Sequence, residues 1–300
     1  MLGYITLYYE LPIPTGVAVG KEEGMMEQTR KCELGAITRQ VRLNILEAVH
    51  AAKSGHPGGS LSIAEVMTYL YYEEMNVDPA NPRMADRDRL VLSKGHTAPA
   101  LYAVLAEKGF IPREDLKTLR KIDSYLQGHP DMKHTPGVDM STGSLGLGIS
   151  AACGMALAAK ISGKDYRTYT IVGDGESEEG QVWEAAMFAA HYKLDNLCVI
   201  IDWNGLQIDG PVTEVMNPTP HDKKFEAFGF HVETADAHDF DELERAFAAA
   251  REVKGKPTAI IIRSVKGKGV SFMENQVGWH GSAPNDEQYA AAVAELTAKQ

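Results

Sequence analysis

An acidic glycine turn follows a run of β-branched and aromatic residues in the stretch YTIVGDGESEEGQVWE, residues 169–184. Asp174 offers a carboxylate in this turn, and Asn204, after the next hydrophobic run, offers an amide oxygen. The turn WNGLQIDG can add a main-chain carbonyl, such as that of Leu206. Hard oxygen ligands that leave other positions to water and phosphate are typical of Mg²⁺ sites. These residues therefore predict a divalent metal ion that anchors a diphosphate.

The glycines of the same turn favour the approach of a bulky anion. Gly173 and Gly175 have no side chain, so a phosphate can come close to the backbone. A helix is predicted to begin near Gly180, and a helix N-terminus attracts negative charge. A polar turn whose glutamates only favour the start of this helix is the simpler interpretation. The position of Asn204 at the end of the next strand favours the metal site.

Four histidines lie in glycine-containing loops. They occur in SGHPGGS, SKGHTAP, QGHPDM and GWHGSAP, as His56, His96, His129 and His280. One loop histidine is most often simply exposed to solvent, but four such turns predict imidazoles gathered around a polar substrate. Neutral imidazole suits proton transfer and hydroxyl recognition near neutral pH. The sequence contains no HExxH pair and no Cys/His cluster, so a zinc site is not predicted.

Two other motifs give alternatives to this site. GLGISA, residues 146–151, fits the dinucleotide fingerprint and has an acid, Asp174, at a later strand end, which makes a nicotinamide-dependent oxidoreductase a rival. The preceding residues HTPGVDMSTGS cannot form the buried strand that this fingerprint needs. An EF-hand loop is excluded because Glu179 stands where that loop requires glycine.

The elements that position these residues alternate between strand and helix. Apolar spacing predicts a helix from Glu27 to Lys53, and Ser62 with Glu65 predicts a capping box for the next helix. A strand in RLVLSKGH and a helix at residues 98–108 follow. The loop 128–148 has no predicted strand, and loops of this length usually carry function. Beyond it we predict helix 149–162, strand 167–172, helix 180–192, strand 197–202, helix 222–228, strand 230–235, helix 239–253, strand 258–264 and a helix from residue 285.

This alternation predicts an α/β fold with three layers, α/β/α, and a central parallel sheet. Ligands bind beyond the carboxyl ends of parallel strands, so Asp174 and Asn204 should converge if their strands are neighbours. We assign residues 25–300 to one domain and residues 1–24 to a loosely ordered N-terminal extension.

Composition excludes several partners. The chain has 300 residues, 44% of them hydrophobic, and a formal net charge of −11. Nucleic-acid grooves and anionic membrane surfaces need clustered Lys and Arg, so neither partner is predicted. The apolar N-terminus lacks a basic start and is too short to span a bilayer. Cys32, Cys153 and Cys198 lie far apart, which indicates reduced, buried thiols in the cytoplasm.

From about Leu34 to His280 the chain resembles the transketolases. The resemblance rests on SGHPGGS, SKGHTAPALY, QGHPDM, STGSLGLGISAACGMALA, VGDGESEEGQVWEA, DWNGLQIDG and GWHGSAP, in this order. The GDG turn with its asparagine is shared by thiamine diphosphate enzymes, whereas the histidine turns are those of transketolases. The resemblance implies a thiamine diphosphate-binding fold. It also implies transfer of a two-carbon ketol unit between sugar phosphates, with thiamine diphosphate and Mg²⁺, for which Ca²⁺ or Mn²⁺ can substitute.

The resemblance also implies a role for each matched residue. The metal would be bound by Asp174, Asn204 and the Leu206 carbonyl. The catalytic residues that contact substrate hydroxyls and move protons would be His56, His129 and His280. The cofactor would be held by His96, Gly143, Ser144, Leu145, Gly175, Glu179, Asn204 and His280. Glu179 and Glu184 match glutamates of an acid network that links paired active sites; the simpler interpretation is charge on a helix surface.

Two departures from the family bear on assembly. Where members often have GPLGQG, this chain has GSLGLG, and Leu147 removes a polar side chain from the loop. Full transketolases are much longer, and the glutamate that activates the aminopyrimidine ring and most residues that bind substrate phosphate lie in the part absent here. We therefore predict the N-terminal subunit of a split transketolase, which pairs with a C-terminal subunit in an α2β2 assembly and works in pentose phosphate metabolism.

Three further alternatives remain. The α subunit of a 2-oxo acid dehydrogenase resembles this chain only around GDG and Asn204. A deoxyxylulose phosphate synthase shares the cofactor, but its histidine turns differ. A non-catalytic scaffold or regulatory half would bind no cofactor even with a partner present.

Overall fold

The computed structural model describes residues 26–298. The predicted extension at residues 1–24 lies outside the described residues, and the boundary at residue 25 stays a prediction. The helices span Gln28–Ala52 (α1), Pro57–Leu61 (α2), Ala64–Tyr69 (α3), Ala98–Lys108 (α4), Leu147–Ser162 (α5), Gly180–His191 (α6), Val212–Val215 (α7), His221–Ala227 (α8), Phe240–Glu252 (α9) and Asp286–Ala298 (α10). The strands span Arg89–Leu92 (β1), Thr168–Gly173 (β2), Leu197–Trp203 (β3), Leu206–Gln207 (β4), Gly210–Pro211 (β5), His231–Asp236 (β6) and Thr258–Arg263 (β7).

Five parallel strands form one sheet in the order β1-β2-β3-β7-β6. Strands β2 and β3 are neighbours, and their register pairs Gly173 with Asp202. The carboxyl ends of these two strands therefore meet at one edge of the sheet. Strands β4 and β5 form a separate antiparallel pair just beyond that edge.

The sheet separates two hydrophobic cores, because alternate side chains of a strand point to opposite faces. Ile171 and Ile200 pack with the core formed largely by α1, α3, α4 and α9. Val172 and Ile201 pack with the other core, which is formed largely by α5, α6 and α8. This arrangement confirms the predicted three-layer α/β/α fold with a central parallel sheet.

The predicted capping box at Ser62 and Glu65 is wrong. Ile63 is the N-cap of α3, and no side chain caps this helix. The Ser62 hydroxyl instead lies within hydrogen-bond distance of Asp202 Oδ2, at 2.8 Å, and of the Gly59 carbonyl, at 2.9 Å. Both residues of the supposed box are buried, and their polar atoms serve tertiary contacts rather than the helix terminus.

Several other predictions can be compared with the described residues. No strand occurs between residues 119 and 146, so the dinucleotide fingerprint does not follow a strand. Cys153 and Cys198 are buried, whereas Cys32 is exposed, so the prediction of a buried thiol is wrong there. Within residues 26–298, no helix has the length and apolar character needed to cross a bilayer.

Candidate active site

Two loops converge at the carboxyl edge of the sheet. The backbone N–H of Asp174, directly after β2, donates to the Asp202 carbonyl in β3 at 3.2 Å. The Asp174 carboxylate accepts hydrogen bonds from the backbone N–H groups of Gly175 at 2.8 Å and Gly205 at 2.6 Å. The acidic turn and the loop after β3 therefore meet, as expected for neighbouring parallel strands.

Asn204 and Leu206 lie in the second of these loops. Asn204 Nδ2 donates to Asp202 Oδ2 at 3.0 Å, and Asn204 Oδ1 accepts from the Leu206 backbone N–H at 3.2 Å. The β4–β5 pair fixes Leu206 opposite Pro211. Asp174, Asn204 and Leu206 all line one cleft of about 310 Å³.

The donor set of this cleft fits a hard divalent cation. The Asp174 side chain is buried, and burial together with the charge of Asp202 raises its pKa to about 7. A buried carboxylate in this state is stabilised when a cation lies beside it. A carboxylate, an amide oxygen and a carbonyl are ligands that Mg²⁺ accepts. Among residues 26–298 there is no group of three or more His, Cys, Asp or Glu side chains placed to hold a metal.

Two lysines accompany these ligands. Lys94 Nζ lies 2.5 Å from Asp202 Oδ2 and donates to the Gly59 carbonyl at 3.0 Å. Lys266 Nζ donates to the Leu206 carbonyl at 2.8 Å. Burial lowers the pKa of Lys266 to about 8. Asp202 neutralises Lys94, so the positive charge that suits a diphosphate comes from Lys266, which lies beside oxygen ligands that suit a metal.

Glu176, another acid of the same turn, has a structural role. The Glu176 carboxylate is buried and accepts hydrogen bonds from Ser93 Oγ at 2.5 Å and from the backbone N–H groups of Gly146 and Gly173, each at 2.9 Å. These donors follow β1, precede α5 and end β2. Glu176 thus joins three segments of the cleft wall.

Three of the four predicted histidines form one cluster. The ring centroids of His56 and His96 lie 5.1 Å apart, those of His56 and His280 5.5 Å, and those of His96 and His280 5.2 Å. Burial lowers the pKa of His56 and of His280 to about 4, and that of His96 to about 2. All three imidazoles are therefore neutral at physiological pH, which is the state expected for the predicted proton transfer by His56 and His280. His96 was predicted to hold the cofactor.

The other predicted residues divide into two sets. Gly143, Leu145 and Gly175 line the cleft together with the predicted metal ligands. His129, Ser144 and Glu179 are not among the residues that line it. The roles of both sets stay predictions. Glu184 is exposed on α6, where it lines a separate shallow crevice.

His129 and Glu179 have identifiable neighbours nevertheless. The His129 ring lies on the backbone of Gly143, since a Cβ at Gly143 would lie 3.1 Å from His129 Cγ. Glu179 is exposed, and a Cβ at Gly146 would lie 2.8 Å from the Glu179 Cβ. His129 is therefore positioned at the rim of the cleft, and Glu179 packs on the loop that leads into α5.

Sequence reasoning gave no role to six residues that line the cleft: Gly59, Lys94, Glu176, Gln207, Ile208 and Lys266. All of them except Lys266 lie inside motifs already singled out, such as Lys94 in SKGH and Gln207 in WNGLQIDG. Lys266 lies in the loop after β7, where the glycines of VKGKGV were the available signal.

A larger surface crevice of about 540 Å³ lies elsewhere, between residues 80–87 and 132–139. Its Arg87 is engaged by Asp139, and its Arg83 is exposed. It contains none of the predicted metal ligands, so the chemistry is assigned to the smaller cleft.

Comparisons with known proteins match the part of the chain that contains the cleft. Residues 35–299 match the family described as "Transketolase, thiamine diphosphate binding domain". The 6-deoxy-6-sulfo-D-fructose transketolase subunit SqwG of Clostridium sp. (strain MSTE9) is 49% identical over 256 residues, covering 85% of this chain and 93% of that subunit. An apulose-4-phosphate transketolase subunit of Phocaeicola vulgatus is 45% identical, covering 85% of this chain and 91% of that protein.

Solved structures give the same result. A transketolase from Leishmania mexicana superposes with a TM-score of 0.83 at 35% sequence identity. The match covers 88% of this chain but only 41% of that protein. The chain thus spans almost the whole of the two similar subunits and less than half of the longer enzyme.

Proposed function

The chain belongs to the transketolase family and carries its thiamine diphosphate-binding domain, and from this premise we propose that it is one subunit of a two-chain transketolase. The complete enzyme would transfer a two-carbon ketol unit from a ketose phosphate to an aldose phosphate. Support comes from the two relatives named as transketolase subunits, which this chain covers almost fully. The resemblance inferred from the sequence motifs is confirmed at the level of the family.

One observation carries the proposal. The Asp174 carboxylate, Asn204 and the Leu206 carbonyl line the same cleft as the neutral imidazoles of His56 and His280. This combination can hold a metal-bound diphosphate beside groups that handle protons and hydroxyls.

The chain's own residues would act mainly by binding and orienting. Bound thiamine diphosphate supplies a carbon nucleophile that can add to a ketose carbonyl. Asp174, Asn204 and the Leu206 carbonyl would hold Mg²⁺, while Lys266 would face the anionic diphosphate.

The imidazoles have defined tautomers. Lys266 Nζ, which can only donate, lies 3.0 Å from His280 Nδ1. An arginine nitrogen, Arg120 Nη2, lies 3.5 Å from His56 Nδ1. Both Nδ1 atoms therefore accept, so both neutral rings carry their proton on Nε2. His56 and His280 can each donate this Nε2 proton to a sugar oxygen in the cleft.

Exposed apolar residues at the rim of the cleft support the proposal of a second chain. Leu145 and Ile208 line the cleft and remain 38% and 62% exposed. Apolar side chains at the mouth of a cofactor cleft are suited to being covered by another surface. We propose that a C-terminal transketolase subunit covers them in an α2β2 assembly, with cytoplasmic sugar phosphate metabolism such as the pentose phosphate pathway as its setting.

Neither alternative enzyme class is favoured. A nicotinamide oxidoreductase lacks support because no strand precedes the fingerprint at residues 146–151. The α subunit of a 2-oxo acid dehydrogenase gives no reason for the cluster of His56, His96 and His280, which matches the transketolase turns.

The experiment combines binding and turnover. The chain would be purified alone and with its partner subunit, and each sample assayed with a ketose phosphate and an aldose phosphate. We expect ketol transfer only in the mixture. Rapid turnover by the chain alone would contradict the two-chain proposal, and decarboxylation of a 2-oxo acid by the mixture would contradict the reaction class.

A calorimetric titration with thiamine diphosphate and Mg²⁺ tests the cofactor directly. We expect Asp174→Ala to abolish metal-dependent binding, because it removes the only anionic ligand of the proposed set. Glu178→Gln is a matched control, since Glu178 is in the same turn and accepts from Gln207 Nε2 rather than facing the proposed metal. NADH should not compete; displacement of the cofactor by NADH would favour the oxidoreductase.

A further inference from the structure

Arg120 is held in a backbone conformation that arginine rarely adopts. Its φ is 61°, in the left-handed region that favours glycine. The conformation is fixed by a hydrogen bond of 2.8 Å from its backbone N–H to the Leu126 carbonyl. A non-glycine residue in this region costs free energy and persists where the surrounding structure imposes it, often at functional sites.

Contacts with Ser54, His56 and Gly128 also fix the position of the Arg120 guanidinium. Nη1 donates to Ser54 Oγ at 3.0 Å, and Nη2 lies 3.5 Å from His56 Nδ1. The guanidinium packs against the backbone of Gly128, since a Cβ there would lie 3.0 Å from Arg120 Nε and 3.2 Å from Nη2. The glycine therefore allows the flat face of the guanidinium to lie against the backbone.

This positive charge is exposed, and no carboxylate of residues 26–298 lies within ion-pair distance of it. Other arginines of the described chain, such as Arg42 and Arg87, are paired with acids. Other arginines without an acid, such as Arg89 and Arg167, are half-buried and donate to backbone carbonyls. The Arg120 guanidinium is exposed instead, which leaves it free to bind an anion from solution.

We propose that Arg120 binds the anionic group, phosphate or sulfonate, that the sugar substrate carries away from its reacting carbonyl. Arg120 reaches the histidine cluster through His56, so an anion bound to it would lie beside a sugar whose hydroxyls contact His56 and His280. Guanidinium matches the oxygens of such groups with paired, charge-assisted hydrogen bonds.

This inference rests on the proposed function, because it assigns the substrate of the same cleft. The names of two relatives point to the same chemistry: one acts on a sulfo-sugar and the other on a sugar phosphate. An anion-binding residue on this chain would add to those that the partner subunit is expected to supply.

The test uses the complete complex with thiamine diphosphate and Mg²⁺. Three ketoses are compared as donors: fructose 6-phosphate, 6-deoxy-6-sulfofructose and fructose. The measured quantity is the ratio of kcat/KM for each anionic sugar to that for fructose. We expect Arg120→Gln to lower this ratio about 10- to 100-fold, the loss typical of a hydrogen bond to a charged group. The sugar whose ratio falls more identifies phosphate or sulfonate as the natural group.

Two further variants separate binding from structure. Gly128→Ala keeps the arginine but forces its guanidinium to shift, because the added Cβ would lie 3.0 Å from Arg120 Nε, so the ratio should fall while the charge remains. Arg120→Lys should recover part of the ratio, because it restores charge without the paired geometry. Arg83→Gln, at an exposed arginine of the separate crevice, should leave the ratio unchanged.

Three results would overturn the inference. One is an unchanged ratio in Arg120→Gln. Another is an equal loss for all three sugars, which would mean that Arg120 acts only by orienting His56. The third is weaker assembly with an unchanged ratio, which would mean that Arg120 pairs with an acid of the partner.

Failure of the proposed function would look different, because the wild-type complex would then turn over none of the three sugars. In that case the role of Arg120 is tested by calorimetry, which measures the affinity of the complex for fructose 6-phosphate and for 6-deoxy-6-sulfofructose. Equal affinity of the wild-type and Arg120→Gln complexes for both sugars would overturn it.

Discussion

The Nζ atom of Lys94 lies 2.5 Å from Oδ2 of Asp202, and the two side chains are only 3% and 0% exposed. The same carboxylate oxygen accepts from Asn204 Nδ2, a proposed metal ligand. Burial alone would raise the pKa of Asp202, but Lys94 and the surrounding hydrogen bonds hold it below its ordinary value. A buried ion pair therefore supports the loop that would bind the metal.

Replacing one member of this pair should destabilise the fold strongly. Lys94→Met leaves the Asp202 charge buried without its partner, so we expect the free energy of unfolding to fall by about 3–5 kcal/mol. Urea denaturation of the chain measures this loss. Lys160→Met is the control, since the pair of Lys160 with Asp195 is partly exposed and should contribute about 1 kcal/mol or less. A comparable loss in the two variants would contradict the assignment.

Lys266 should matter for cofactor binding more than for folding. Its Nζ reaches the Leu206 carbonyl and His280 Nδ1 inside the cleft, where a diphosphate would lie. We expect Lys266→Met to weaken binding of thiamine diphosphate with Mg²⁺ about 10- to 100-fold, measured by calorimetry. Lys268→Met, two residues away and paired with Glu274, should bind as the wild type does. Unchanged affinity in Lys266→Met would remove Lys266 from the diphosphate site.

Glu65 should give the stability of the fold a specific dependence on pH. Burial would raise its pKa, but the charge of Arg42 and a hydrogen bond from His238 outweigh burial and lower it from 4.5 to about 2. A carboxyl whose pKa is lower in the folded state stabilises the fold above its unfolded pKa. This contribution, about 3 kcal/mol, is lost as the pH falls from about 4.5 to about 2.

The variant Glu65→Gln tests this dependence. Its unfolding free energy should lie well below that of the wild type at pH 7, and the difference should shrink on acidification through that window. Glu33→Gln, in an exposed pair with Arg30, is the control and should track the wild type at every pH. A difference between wild type and Glu65→Gln that stays constant down to pH 2 would contradict the assigned pKa.

The sequence predicted the fold where periodicity was strong. Runs such as TYTIVG and LCVIIDW are buried on both faces, so they could be recognised as strands of a covered parallel sheet. The convergence of Asp174 with Asn204 followed from that sheet, because adjacent parallel strands end at the same edge. The β4–β5 pair was missed because strands of two residues leave no periodic signal.

Polar residues whose partners are distant in sequence could not be predicted in this way. Ser62 satisfied a local capping pattern, but it lies beside Asp202, 140 residues away. Lys94 and Lys266 lie in glycine-containing loops that, by composition, indicate exposed turns. Their burial depends on how loops from three strands pack at one edge, which no local pattern encodes.

Gly95 provides a test of how closely the loops of the cleft pack. A Cβ at this position would lie 2.6 Å from Thr142 Oγ1 and 2.8 Å from the Gly143 backbone nitrogen. We expect Gly95→Ala to push the SKGH turn away from that backbone and to lower the free energy of unfolding by about 1–3 kcal/mol. Affinity for thiamine diphosphate with Mg²⁺ should fall as well, because the displaced segments carry His96 and Gly143.

Gly35→Ala is the control for this prediction. Nothing lies within 4 Å of its added Cβ, and alanine in a helix should leave the free energy of unfolding equal or higher by up to about 1 kcal/mol. Equal stability and cofactor affinity in Gly95→Ala and the wild type would show that the cleft accommodates a methyl group and is looser than the contacts at Gly95 require.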